Sequence, residues 1–293
     1  MIEKQKIYHK DKDFFDLTGI PLFDSSNFEY YEKNNFFGKY LKEAKNINNL
    51  GFCKLEIKER NFIYLIDQIK NDLSQIKEFK EYDYKSSKSI RIQDAWLHKG
   101  IKSVKELATY PLILEFLDTI YGRKSFPFQT LNFPFGSRQH FHSDAVHFNS
   151  LPKGFMVGVW IALEDVHKDS GPLIYFPKSH KTQYISARNL GITATKLNKE
   201  KYPQKLFESY WVDLVKKNNF TKKILLAKKG DVFIWHANLL HGGDVVKNNT
   251  LTRWSQVTHY FFENCRYLTP LLDTVDNKNK IIRWRNPLNI IKA

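Results

Sequence analysis

What most constrains this chain is a change of texture at Gly122. Before it, apolar residues recur at helical spacing; after it, the sequence breaks into short runs rich in aromatic and β-branched residues. Turn signals such as Phe135-Gly136-Ser137, Ser170-Gly171-Pro172 and Lys229-Gly230-Asp231 separate the runs. The runs at 126–133, 139–144, 155–163, 173–176, 224–227, 231–235 and 253–262 read as strands. Many short strands bury their apolar faces by packing sheet on sheet or by closing on themselves. The expected fold class is therefore mainly β with flanking α-helices, a sandwich or jelly-roll barrel.

The helical part has its own logic. Phe62, Leu65, Ile66, Ile69, Leu73 and Ile76 recur at helical spacing within 61–80, with charged residues between them. Ser103 and Glu106 form a capping-box pattern ahead of Leu107, and 111–121 continues as a second apolar helix ending at Gly122. The reading is a single domain over 1–293: a largely helical part (1–121), a β core (122–262) and an extension packed outside (263–293). A polar, lysine-rich, weakly patterned segment at 182–221 interrupts the core. A lid across the barrel mouth and a solvated excursion are both open for it.

At 293 residues the chain can bury a sizeable core without covalent staples. Cys53 and Cys265 are its only cysteines, too few for a disulfide framework or a thiolate zinc site, which fits a reducing cytosol. Residues 1–12 are charged and lack the apolar stretch of a secretory signal. The most apolar run, 155–163, falls short of the roughly 20 residues needed to cross a bilayer. A cytoplasmic protein without a membrane partner is expected. The net charge of +15 admits an acidic partner. Lysines are spread among many asparagines and isoleucines, however, which favours compositional bias over a nucleic-acid patch.

Candidate chemistry concentrates in two histidine clusters: His140, His142 and His147, then His236 and His241. In a strand, residues two apart share a face, so His142 and Asp144 of Gln139-His140-Phe141-His142-Ser143-Asp144 can converge on one ion. A third ligand from another strand completes the two-histidine, one-carboxylate arrangement of non-heme Fe(II) oxygenases, and His241 is the candidate. Three ligands on one face leave room for a chelating 2-oxo acid and for dioxygen. His140 shares the face of His142, so a His-x-His pair of the cupin type is a rival; the next glutamate, though, is Glu164. The turn at Gly230-Asp231 reads as entering a strand that delivers Leu239, Leu240 and His241, and Gly242 and Gly243 after it permit close backbone approach, against the plainer reading of His241 as a surface histidine before a loop.

Further on, alternation places Arg253, Ser255, Val257 and His259 on one strand face. A guanidinium turned into an apolar barrel requires an anion. The distal carboxylate of 2-oxoglutarate suits a bidentate fork, and an internal ion pair is the structural alternative.

On these motifs the chain resembles the phytanoyl-CoA dioxygenase family of Fe(II)/2-oxoglutarate-dependent oxygenases. The resemblance runs from about Gly122 to Phe262. It is carried by Pro127-Phe128-Gln129-Thr130-Leu131-Asn132-Phe133, Gln139 to Asp144, Gly158-Val159-Trp160-Ile161-Ala162-Leu163-Glu164-Asp165, Gly171-Pro172-Leu173, Pro177-Lys178-Ser179-His180 and the block from His241 to Arg253. It implies a double-stranded β-helix (jelly-roll, cupin-like) core and hydroxylation coupled to decarboxylation of 2-oxoglutarate to succinate. Carried over residue by residue, it implies His142, Asp144 and His241 as iron ligands and Arg253 as the cosubstrate anchor, assisted by Ser255 and Gln129. His147, Trp160 and His140 are candidates to face the substrate, with core packing the alternative for His147 and Trp160. One departure is Lys178, where members often have glycine before the Ser-His pair.

The expected partner is a small molecule, with an anionic one suggested by the lysines of 196–205. The family name does not assign a substrate. Related halogenases lack the carboxylate ligand, so Asp144 argues against that chemistry. Nucleic-acid demethylases of the superfamily carry a second arginine six residues beyond the anchor, where this chain has His259. A non-catalytic binding module on the same barrel is the remaining alternative class.

Overall fold

The computed structural model describes residues 19–83, 89–276 and 284–293. Its main sheet is antiparallel and six-stranded. In spatial order the strands are β1 (Phe52–Leu55), β8 (Val232–His236), β5 (Met156–Ala162), β10 (Ser255–Phe262), β3 (Ser125–Phe133) and β2 (Ile92–Gln93). A second sheet joins β7 (Lys223–Leu225), β6 (Leu173–Tyr175) and β9 (His241–Gly243). A third joins β12 (Trp284–Arg285), β11 (Arg266–Leu268) and β4 (Asn149–Leu151). Leu131, Phe133, Trp160, Phe233, Trp235 and Val257 of the main sheet share one buried cluster with Leu173 and Leu225 of the second. The two sheets thus face each other as a sandwich.

The opposite face of the main sheet is covered by helices. Phe62, Leu65, Ile66, Ile69 and Leu73 of helix Arg60–Ser74 and Ile113, Phe116, Leu117 and Ile120 of helix Pro111–Tyr121 are buried in one cluster with Val157, Val159, Ile161 and Ile234. At about 1.5–3 kcal/mol for each large side chain removed from water, this apolar stripe holds the helical layer in place. The helical part also donates to the sheet, since β1 and β2 are its two edge strands. Ser103 does not cap its helix: it lies inside Lys102–Ala108 and donates a 2.8 Å hydrogen bond to Asp72 of the neighbouring helix. Buried against a partner helix, its hydroxyl gains more from a carboxylate than from a backbone N–H already near water.

Three other expectations change. The run 139–144 is not a strand; its only ladder contact is an isolated bridge between His142 and His241, and Asp144 opens a short 3-10 turn, Asp144–Val146. The strand that was to deliver His241 ends at His236, and the chain crosses there to the second sheet. The 182–221 segment is patterned after all: it contains helices Ala194–Lys199 and Lys205–Lys217, and buries Leu197, Phe207 and Trp211 against Val146, Phe176 and Leu240. Its polarity reflects long solvent-facing sides, which hid a narrow apolar stripe. Lys178 sits at φ +70°, the left-handed backbone that would suit the absent glycine, and its N–H donates to Leu50 O at 2.9 Å.

Candidate metal centre

His142 and His241 face each other across the bridge and exchange both backbone hydrogen bonds, at 2.9 and 3.0 Å. Directly opposed residues of an antiparallel pair project to the same side, so the two imidazoles emerge together, ring centroids 4.7 Å apart. Gly242 makes that approach possible, because a Cβ there would stand 2.8 Å from Phe141 Cα and 2.9 Å from Gln139 O. Asp144 arrives by a different route. Ser143 anchors the turn through its hydroxyl, which donates to Asn238 Oδ1 at 2.9 Å, and Ala145 N–H donates to Ala237 O at 3.0 Å. The carboxylate is thereby lowered between the rings.

His142 Nε2 lies 3.5 Å from Asp144 Oδ1, and His241 Nε2 lies 3.6 Å from Oδ2. The ligating atoms of His142, Asp144 and His241 all fall within 4.8 Å of one another, and all three residues are buried. Each imidazole donates from Nδ1 to the backbone carbonyl two residues earlier, His142 to His140 O at 2.9 Å and His241 to Leu239 O at 3.0 Å. That fixes the tautomer and turns both Nε2 lone pairs toward the carboxylate. Adjacent ligand atoms on an octahedral ion with bonds of about 2.1 Å stand about 3 Å apart. The two histidine–carboxylate separations exceed that by roughly half an ångström, so a modest inward shift of the side chains would seat a divalent cation.

The charges agree with this. Burial pushes the Asp144 carboxyl up, but the nearby imidazoles of His241, His259 and His142 outweigh it and hold the group well below the ordinary carboxylate range. Burial holds His241 down to about 4 despite Asp144, so its Nε2 is an unprotonated donor. For His142 burial pulls downward, and Asp144 overcomes it, raising the pKa. A bound cation would take the place of that proton.

Two further residues hold the carboxylate. Trp235 Nε1 donates to Asp144 Oδ2 at 2.8 Å, with its ring 4.4 Å from that of His241. His259 Nε2 lies 3.4 Å from the same oxygen, while its Nδ1 meets Gln129 Oε1 at 3.1 Å. Strand alternation had placed His259 on the barrel face without bringing it to the carboxylate. Trp235 had carried no signal beyond apolar character.

The cavity at the centre has a volume of about 220 Å³. Gln129, His147, Trp160 and Arg253 line it together with the three candidate ligands. Arg253 is buried, its Nε has no hydrogen-bond partner among the described residues, and its guanidinium stands 5.8 Å from the Trp160 ring. Burial lowers it to about 10, partly offset by Glu164, which leaves it charged at neutral pH. The Trp160 Nε1 and Ser255 Oγ atoms are likewise buried without partners. Ser255 is not among the lining residues, nor is His140, whose Nδ1 contacts Phe141 O and whose ring lies 4.2 Å from that of Phe141. His140 departs from the face of His142 because the segment is not a regular strand.

The 182–221 segment reaches the centre directly. His147 Nε2 donates to Gln204 Oε1 at 2.9 Å, and the Trp211 ring lies 6.3 Å from that of His142. From the other side Arg285 donates to His147 O at 3.0 Å.

Residues 67–253 match the family model described as phytanoyl-CoA dioxygenase. The match begins within helix Arg60–Ser74, well before Gly122. The chain is 24% identical over 276 residues to the peroxisomal phytanoyl-CoA dioxygenase of Bos taurus, covering 85% of this chain and 76% of that one. Among solved structures it resembles EctD from S. alaskensis with 2-oxoglutarate and 5-hydroxyectoine, with a TM-score of 0.59 and 18% identity over 84% of this chain and 83% of that one. It also resembles the non-heme alpha ketoglutarate dependent carbocyclase SnoK from nogalamycin biosynthesis, with a TM-score of 0.58 and 14% identity over 85% and 92%.

Proposed function

The chain belongs to the phytanoyl-CoA dioxygenase family, and from that premise we propose that it is an Fe(II)- and 2-oxoglutarate-dependent dioxygenase hydroxylating a small molecule. The observation that carries this reading is the convergence of His142, Asp144 and His241 at the wall of a cavity that also holds Arg253. The donor set, two neutral imidazoles and one carboxylate, suits a non-heme iron and leaves the cavity side to cosubstrate and dioxygen. Bound iron would supply the oxidant for an unactivated C–H bond, with 2-oxoglutarate converted to succinate and carbon dioxide.

The protein's own residues bind, orient and exclude water. Arg253 is the anchor for the distal carboxylate of 2-oxoglutarate, which would satisfy a buried guanidinium whose Nε is otherwise unpartnered. Ser255 does not line the cavity, and its unpartnered buried hydroxyl is what supports a helping role beside Arg253. Gln129 acts through His259, which it contacts. His147 connects the centre to Gln204, and Trp211 shields His142, so the 182–221 segment serves as a lid over the centre. We read the two facing sheets as a double-stranded β-helix, and 1–121, 122–262 and 263–293 as parts of one domain. Among the described residues no helix is long and apolar enough to cross a membrane. Two free cysteines favour the cytoplasm.

The test is anaerobic reconstitution with Fe(II) and 2-oxoglutarate, followed by oxygen exposure with a metabolite panel. Succinate and a product heavier by one oxygen are expected. A product of unchanged mass, or one lighter by two hydrogens, would redirect the reading to epimerisation or ring closure. Absence of succinate with every candidate, together with failure to take up Fe(II), would favour a non-catalytic binding module. The Asp144→Ala variant should fold and lose all coupled turnover.

A further inference from the structure

The cavity wall carries an unbalanced charge, and this bears on what the enzyme oxidises. On the reading above, a divalent iron, Asp144, the 2-oxoglutarate dianion and Arg253 sum to zero. Arg91, just before edge strand β2, lies outside that sum. It lines the same cavity from a solvent-exposed position, where it is open to an incoming ligand, and among the described residues it has no ion-pair partner. Asp144 is the only carboxylate among the lining residues, so nothing else there neutralises a second arginine. Arg285 adds positive potential from behind, its guanidinium 4.7 Å from the ring of Phe148, which is itself part of the lining. Glu208 is the one acidic group felt at His142 from the lid helix, and it does not line the cavity.

The remaining lining points the same way. Leu131, Phe133, Trp160, Leu173 and Val257 form one apolar cluster, the one that holds the Trp160 ring beside Arg253, and so belong with the cosubstrate. Away from that cluster the wall is polar: Gln93, Gln129, His147, Gln204 and His259, with Phe148 the sole large apolar side chain. At about 220 Å³ the space is smaller than the roughly 300–1,000 Å³ of sites for drug-sized ligands, and the cosubstrate must share it. A long acyl chain would find neither the volume nor the apolar wall it needs.

We propose that the substrate is a compact polar anion, a carboxylate or phosphate bearing hydrogen-bonding groups, held by Arg91 and oriented by the amides of Gln93 and Gln129. This rests on the oxygenase reading of the same centre. A guanidinium fork suits either oxyanion, and the glutamine amides can both donate to and accept from neighbouring polar groups.

The test uses Fe(II)-loaded protein under anaerobic conditions and measures binding calorimetrically, first of 2-oxoglutarate and then of three probes: N-acetylalanine, glycerol 3-phosphate and decanoyl-CoA, with coenzyme A as the control for its headgroup. At least one small anion should bind the 2-oxoglutarate-loaded protein. Its Kd should rise tenfold or more in Arg91→Ala and by less in Arg91→Lys, and the decanoyl chain should add no affinity over coenzyme A. Which small anion binds distinguishes carboxylate from phosphate. If neither binds, if the binding ignores both Arg91 variants, or if the acyl chain tightens binding, the proposal is overturned while the oxygenase reading stands. Failure to take up 2-oxoglutarate at all would instead overturn the reading beneath it.

Discussion

The indole of Trp235 donates a 2.8 Å hydrogen bond to Oδ2 of Asp144, and both residues are buried. The carboxylate is thus oriented before any cation arrives. Groups that position metal ligands in this way are typically worth about 10–100-fold in metal affinity. Trp235→Phe keeps an aromatic ring beside His241 and removes the donor together with part of the indole's volume. We expect its Fe(II) or Mn(II) Kd to rise at least tenfold by calorimetry, with urea stability falling by about 1–3 kcal/mol from the lost bond and the space left by the smaller ring. Wild-type metal affinity would show that the bond plays no part in holding the carboxylate.

Gly158 lies beneath that indole. A Cβ built there would collide with the Cε2, Cζ2 and Nε1 atoms of Trp235, all parts of a rigid ring. Gly158→Ala should therefore push the indole off Asp144 and reproduce the loss of metal affinity from the neighbouring strand β5. Overpacking should also cost about 1–3 kcal/mol of stability. A variant with native affinity and native melting temperature would mean that the sheet yields more than close packing allows.

His259 and Gln129 form a pair facing each other across β10 and β3. Removing either alone leaves the other polar group short of a partner. In a double-mutant cycle with His259→Leu and Gln129→Leu, the pair should show a coupling of about 1 kcal/mol in urea unfolding. Additive single effects would separate the two residues and remove Gln129 from the support of Asp144.

A pH dependence follows from His180, which lies behind β8 with its ring 5.3 Å from that of His236. Burial holds His180 down to about 4, outweighing its contact with Asn48 O, and burial lowers His236 as well. Unfolded, a histidine titrates near 6.5. Below that pH the unfolded chain binds protons that folded His180 refuses, so stability is full above about 6.5 and is lost as pH falls toward 4. The loss from His180 alone should approach about 3 kcal/mol. Urea midpoints measured from pH 7 to 4.5 should fall more gently in His180→Gln; parallel curves would remove His180 as the source.

The centre was legible in the sequence to a definite depth. His142, Asp144, His241 and Arg253 stand out because their residue types and spacing are rare in combination, and the structure brings all four to one cavity. His142 and Asp144 do meet, but not through alternation along a strand. Asp144 reaches its place on a 3-10 turn, and the side chain opposed to His142 belongs to His241, across a bridge formed between distant segments. Helices Arg60–Ser74 and Pro111–Tyr121 were legible because periodicity is local to one element.

By itself, then, the sequence determined the amphipathic helices, the β character after Gly122 and the inventory of groups able to bind a metal and an anion. These depend on neighbours within a few residues, where spacing alone dictates which side chains share a face. Only the tertiary structure decided that Trp235 and His259 meet Asp144, that Gln204 and Trp211 reach His147 and His142, and that Arg91 lines the same cavity as Arg253. Each of these contacts joins segments set against one another by sheet pairing and by burial of a shared core, and no local pattern encodes that pairing.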